Sequence, residues 1–156
     1  MKETIVSVWS AVVSPTLSGL HHLKLPVADL DAATAWWAAV FDARRVPRLD
    51  HIDDAGTRYA VVLEVPGLGV PLQLLLLPAA SSALPGYDPV TLGVPDRREL
   101  DRWTAHLTAL GVTHTPVAGG VIGDTLVLQT PEGALVRLYT LPPGGFGPEF
   151  AAPAQD

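Results

Sequence analysis

The sequence predicts an α+β fold in which one βαβββ unit is written twice in tandem. Three observations carry this reading. Short apolar runs alternate with proline and glycine punctuation, as at Pro66-Gly67, Pro85-Gly86 and Pro142-Pro143, the pattern of strands between turns. Two longer segments, 30–41 and 97–110, instead space their apolar residues for a helix. The two halves also repeat. Val27 and Val94, Asp29 and Asp96, and Trp36 and Trp103 are each 67 residues apart. Leu63 and Pro66 meet Leu128 and Pro131 at 65, and Gln73 and Leu77 meet Arg137 and Leu141 at 64. Drift confined to loop-sized steps is the mark of a duplicated unit.

The elements follow in order. Residues 20–27 (LHHLKLPV) alternate over their second half and read as a strand. Asp29 or Asp31 can cap the helix 30–41, whose Leu30, Ala33, Trp37 and Val40 share one stripe. Strands are expected at 43–49, 57–65 and 70–77, with 50–56 (DHIDDAG) as a loop and Pro66-Gly67-Leu68-Gly69 as a turn. In the second unit a strand at 89–94 ends in Pro95-Asp96. A helix at 97–110 presents Leu100, Trp103, Leu107 and Leu110, and Gly111 caps it. Strands are expected at 112–116, 125–130 and 135–141, the last reached through Pro131-Glu132-Gly133. Residues 1–19 read as a tail or an added edge strand. Residues 20–142 read as one domain with modules 20–78 and 88–142, and 143–156 as a flexible tail.

Composition bounds the function. A chain of 156 residues, 48% apolar and with net charge −6, suits one domain with its own core. Having no cysteine, it excludes a disulfide scaffold, a zinc–thiolate or iron–sulfur site and a cysteine nucleophile. Ten Lys and Arg against sixteen Asp and Glu, with no basic run, argue against a nucleic-acid surface. No apolar run approaches the ~20 residues that span a bilayer, so no membrane partner is expected. Residues 1–10 (MKETIVSVWS) interrupt their apolar run with Lys2, Glu3 and serines, unlike a secretory leader. The expected location is the cytoplasm, and the Ala/Pro/Arg-rich composition fits a high-GC bacterium.

The segment Leu20-His21-His22-Leu23-Lys24-Leu25-Pro26-Val27-Ala28-Asp29-Leu30, followed by Trp36-Trp37 and Val40-Phe41-Asp42, resembles the opening of the vicinal oxygen chelate superfamily. That group includes glyoxalase I, extradiol dioxygenases, fosfomycin-modifying enzymes and bleomycin-resistance proteins. Gln129-Thr130-Pro131-Glu132-Gly133-Ala134-Leu135-Val136-Arg137-Leu138-Tyr139 resembles its closing hairpin. The resemblance implies a curved mixed sheet around a cup-shaped cavity, often in a homodimer. In metal-binding members it also implies four ligands, on the first and last strand of each unit. Those positions fall on His22, Gln73, Pro89 and Arg137. An imidazole is a good ligand and an amide oxygen a weak one. A proline ring offers nothing, and a guanidinium repels a cation. Without an anionic oxygen neither an octahedral magnesium site nor a two-His-one-carboxylate iron site is built. No metal and no cofactor are expected, unless Asp88 or Tyr87 stands in for Pro89.

Strand alternation turns Leu23, Leu25, Val27, Val90, Leu92 and Val94 toward the helices. The expected ligand-binding residues are therefore His22, Lys24, Gln73, Leu75, Thr91, Arg137 and Tyr139, with Leu77 beside them: apolar walls with a few convergent polar groups. Arg137 must meet a protein carboxylate such as Glu64, or water, or a ligand anion. Lys24 lines the cup or snorkels to its rim. Two functions fit. One is metal-independent binding of a small organic molecule, anionic or oxygen-rich and aromatic, for resistance or sequestration. The other is a metal-independent isomerase, cyclase or lyase with His22 as general base and Arg137 stabilising an oxyanion or enolate. His21 is expected to point away from His22. His51-Ile52-Asp53-Asp54 reads as a solvated turn or lid, and Trp36 and Trp103 as packing. His106 and His114 read as exposed, and Ser81-Ser82 has no base at readable spacing.

Overall fold

The computed structural model describes residues 14–150. In chain order its elements are β1 (Leu23–Val27), α1 (Leu30–Phe41), β2 (Arg44–Arg45), β3 (His51–Ile52), β4 (Arg58–Glu64), β5 (Leu72–Leu76), α2 (Pro78–Ser81), β6 (Val90–Val94), α3 (Arg97–Ala109), β7 (Ala118–Gly119), β8 (Asp124–Gln129) and β9 (Leu135–Thr140). Two aspartates start the long helices. Asp29 and Asp96 sit in extended backbone, and their carboxylates accept the N–H of Ala32 and Glu99, both at 2.9 Å. At the far end of α3, Gly111 takes a φ of +68°, the left-handed stop its lack of Cβ permits.

The strands form two open sheets of the same design. In the first the order is β1-β5-β4-β2, with β3 also paired to β4; in the second it is β6-β9-β8-β7. β1 runs parallel to β5 and β6 to β9, while the other pairs are antiparallel. The registers correspond. Lys24 lies opposite Gln73 and Gln73 opposite Val62, as Thr91 lies opposite Arg137 and Arg137 opposite Val127. β1 and β6 are edge strands.

Each sheet turns one face to the helices. Leu25, Val27, Val61, Leu63, Leu72 and Leu74 pack with Leu30, Trp37, Val40 and Phe41, and Val90, Leu126, Leu128, Val136 and Leu138 pack with Leu100 and Leu107, in one continuous core. Phe41 and Trp103 join the units at 5.2 Å between ring centroids, and Trp36 packs on the same seam. His106, exposed as expected, donates from Nε2 to the Val40 carbonyl at 2.9 Å, satisfying one of the orphan acceptors at the end of α1. His114 likewise has partners, the Thr108 hydroxyl and the Thr115 carbonyl. Glu132, in the β8–β9 turn, accepts the Ala28 N–H at 2.7 Å and the hydroxyl of buried Ser81.

Several boundaries differ from the sequence reading. The strand expected at 43–49 shrinks to β2 and a 3-10 turn, Pro47–Leu49, because Pro47 has no N–H for the ladder and is suited to begin a turn. The loop expected at 50–56 contains β3, whose register slips between His51 and Ile52. The strand expected at 112–116 is reduced to an isolated bridge between His114 and Leu128. There the Thr115 hydroxyl takes the Val127 N–H, Pro116 follows, and the paired segment is β7. Residues 14–20 are exposed and carry neither helix nor strand, and Pro148–Phe150 forms a 3-10 turn. The remainder of the expected end segments, 1–13 and 151–156, lies outside the described residues. Among the described residues no helix is long and apolar enough to cross a membrane.

Candidate functional site

On each sheet the face turned away from the helix gathers the polar residues. In the first sheet this face carries Lys24 and Pro26 on β1, Gln73 and Leu75 on β5, and Ala60 and Val62 on β4, in register across the three strands. Lys24 is exposed, whereas Gln73 is buried at 4% exposure. Gln73 Nε2 lies 3.1 Å from Nδ1 and 3.3 Å from Nε2 of His51, whose ring meets Tyr59 edge-on at 5.6 Å. His51 is placed by the link from β2. There Arg45 and Asp50 form an ion pair, and the guanidinium holds the Asp50 carboxyl below the ordinary carboxylate range while its own pKa is raised. On the other side of β3, Asp53 Oδ1 accepts the N–H of Ala55 and of Thr57 at 3.0 and 2.9 Å, closing the turn.

In the second sheet Thr91, Arg137 and Val127 form one row and Gly93, Tyr139 and Thr125 the next. Arg137 is half-buried. Its Nε donates to Asp88 Oδ2 at 2.5 Å and its Nη1 to the Thr125 hydroxyl at 3.4 Å. Glu64, the carboxylate considered from sequence, is exposed. The Tyr139 hydroxyl accepts the Ile122 N–H at 3.1 Å, pinning the β7–β8 turn over this end of the sheet. A Cβ at Gly120 would come within 2.0 Å of that hydroxyl oxygen, so only glycine admits the contact.

Six of the seven expected residues therefore fall into two sets. Lys24, Gln73 and Leu75 are neighbours on one sheet and Thr91, Arg137 and Tyr139 on the other, and among the described residues no strand pairing or hydrogen bond joins the sets. His22 is half-exposed just ahead of β1. Its ring meets that of His21, with the two Nδ1 atoms 2.8 Å apart, contrary to the expectation that they diverge. Pleat alternation governs residues inside a strand, and both histidines precede β1. Leu77 has left the face: it begins α2 and is 45% exposed. Ser81, bound to Glu132, serves as a tie. An apolar cavity of about 60 Å3 lies at the seam between the units, lined by Trp36, Trp37, Pro26, Pro89, Leu135 and Glu132 among others, and by none of the six residues of the polar sets.

Sequence reasoning named His51 only within a solvated turn or lid and Asp88 only as a stand-in metal ligand, and it missed Thr125. The signal for Asp88 was present, since a strand arginine on a half-buried face demands a carboxylate. Among the described residues no three His, Asp or Glu side chains gather closely enough to hold an ion. The donor set is one imidazole, one amide already near His51 and one carboxylate bound to a guanidinium. It does not fit a divalent cation, which needs anionic oxygens free to coordinate.

Residues 19–138 match the family model of the Glyoxalase/Bleomycin resistance protein/Dioxygenase superfamily. No curated protein matches the chain. Among solved structures, TnmS3, an antibiotic binding protein from a Streptomyces species, is 19% identical with a TM-score of 0.65, over 81% of this chain and 98% of that one. A glyoxylase/bleomycin resistance protein/dioxygenase domain from a Frankia species is 20% identical with a TM-score of 0.63, over 80% and 98%. A mutant of the fosfomycin resistance protein FosX from Listeria monocytogenes, complexed with Mn(II) and 1S,2S-dihydroxypropylphosphonic acid, is 22% identical with a TM-score of 0.62, over 80% and 90%. At these identities the likeness is one of fold.

Proposed function

The chain belongs to the glyoxalase/bleomycin resistance protein/dioxygenase superfamily, and from that premise we propose that it is a metal-independent binding protein for a small, oxygen-rich organic molecule, serving resistance or sequestration. The observation that carries the proposal is the Arg137–Asp88 ion pair with Thr125 beside it. It places a cation and its counter-ion at the corner where a metal would need a free anionic oxygen, so no chemical step is routed through an ion. It also leaves Arg137 with N–H groups beyond the two it uses to donate to ligand oxygen, in register with Thr91 and two residues from Tyr139 along β9. Leu75, Val62 and Val127 supply the apolar surface such a site needs. An antibiotic binding protein among the structural neighbours supports a role in binding.

The same reading includes a homodimer. Each chain holds its two polar sets on separate sheets with edge strands at β1 and β6. A second copy would set the first sheet of one protomer against the second sheet of its partner and so complete two cups.

The test is binding of a panel of aromatic antibiotics, followed by tryptophan fluorescence with and without EDTA. Binding is expected to be indifferent to EDTA and to weaken about ten-fold or more in Arg137→Met. Binding that vanishes with EDTA, or is unchanged in the variant, would retire the proposal. The hydrogen-bonded His21–His22 pair favours a second reading, in which His22 acts as a general base with a neighbouring imidazole to share the proton. In that case His22→Ala binds the molecule but no longer converts it.

A further inference from the structure

Gln73 is buried at 4% exposure in the middle of β5, between Lys24 and Val62 across the sheet. Its amide nitrogen faces His51, but its Oε1 has no hydrogen-bond partner among the described residues. A carbonyl oxygen withdrawn from water without a donor is costly, and such groups in folded proteins call for an explanation. What meets the nitrogen end of this amide is slight. His51 is itself exposed and belongs to a two-residue strand whose register slips at the next position. That strand hangs between two fixed points, the Arg45–Asp50 ion pair and the Asp53 turn. The imidazole thus meets the amide nitrogen from an exposed segment held at both ends, with Tyr59 edge-on to it, and Leu75 lies two residues along β5 from Gln73.

Resting on the reading of this face as a ligand site, we propose that Gln73 Oε1, buried and without a donor while His51 meets the amide nitrogen, is a donor-selective subsite that takes a neutral O–H or N–H of the ligand. A phenol, alcohol or amide would satisfy the buried oxygen, while its planar body would lie against Leu75. A carboxylate has no proton to give and would set negative charge against a carbonyl dipole. Lys24, the cation opposite Gln73, is exposed, where solvent screens its attraction for an anion. Arg137, on the other sheet, already has Asp88 as its counter-ion. Selection on this face therefore turns on the proton rather than on charge.

Three probes of one shape test this on the 15N-labelled full chain at pH 7: 2-naphthol, a neutral donor; 2-methoxynaphthalene, with no donor; and 2-naphthoate, an anion. The expected result is that 2-naphthol binds about ten-fold or more tightly than its methyl ether and shifts the Gln73 side-chain amide resonances. Gln73→Met, close in volume, should keep the binding of the naphthalene body and equalise naphthol and ether, with an unchanged melting profile as the folding control. Equal affinities in the unsubstituted protein overturn the proposal and leave the ligand-face reading standing. So does tightest binding by 2-naphthoate with Gln73 resonances shifting, for the amide then offers its NH2. Shifts confined to the Trp36–Glu132 seam, or no binding of any probe, overturn both.

Discussion

At the scale of single residues, charge is settled in pairs that lie close in space and at very different distances in sequence. Asp50 and Arg45 are five residues apart, and the arginine holds the carboxyl below its ordinary value of 3.8. A lowered carboxyl pKa contributes stability that is fully present above 3.8 and is lost as pH falls through the lowered value. Asp50→Asn should therefore flatten the acid limb of the melting temperature measured against pH, and leave its shape near neutrality unchanged. Arg137 and Asp88 are 49 residues apart, which is why the need for a carboxylate could be read from the sequence and its identity could not. Glu132 was legible only as a turn residue, yet it receives a backbone N–H and the hydroxyl of a buried serine. Glu132→Ala leaves both donors without a partner and should cost about 1–3 kcal/mol in urea denaturation.

Among the elements, those whose signals are local were legible. α1 begins and ends where its Asp29 cap and apolar stripe place it, and α3 differs by one residue. β2, β3 and β7 were not, since each is two residues long and exists only because a neighbouring strand offers a partner. The stripe on α3 also reached one residue too far: Leu100 is fully buried, whereas Leu110 is 45% exposed past the helix end. Leu100→Ala should cost about 2–5 kcal/mol and Leu110→Ala less than about 0.5 kcal/mol, both by chemical denaturation. In the β7–β8 turn, Gly120→Ala meets the Tyr139 hydroxyl and must push the turn away from the sheet. Hydrogen exchange at the Ile122 amide should then accelerate, and Tyr139→Phe should reproduce the acceleration without the steric clash.

For the molecule as a whole, the repeat at 64 to 67 residues disclosed two units of one design, and the two sheets with matching registers follow from it. How the units face each other was not legible, because the residues that join them, Phe41 with Trp103 and Val40 with His106, carry no spacing signal. If two copies complete each other's cups, light scattering on the eluted protein should report twice the 16.5 kDa of one chain; a mass of one chain would count against the pairing. Glu132 has a last consequence. The position 65 residues earlier is Gly67, which has no side chain to grip anything. One half of the molecule clasps the other through Glu132, and among the described residues the matching position 67 returns no clasp. The halves are thus not interchangeable. A tandem of two first halves would be a chain without its buckle, and a reversed order would fasten it at the wrong end.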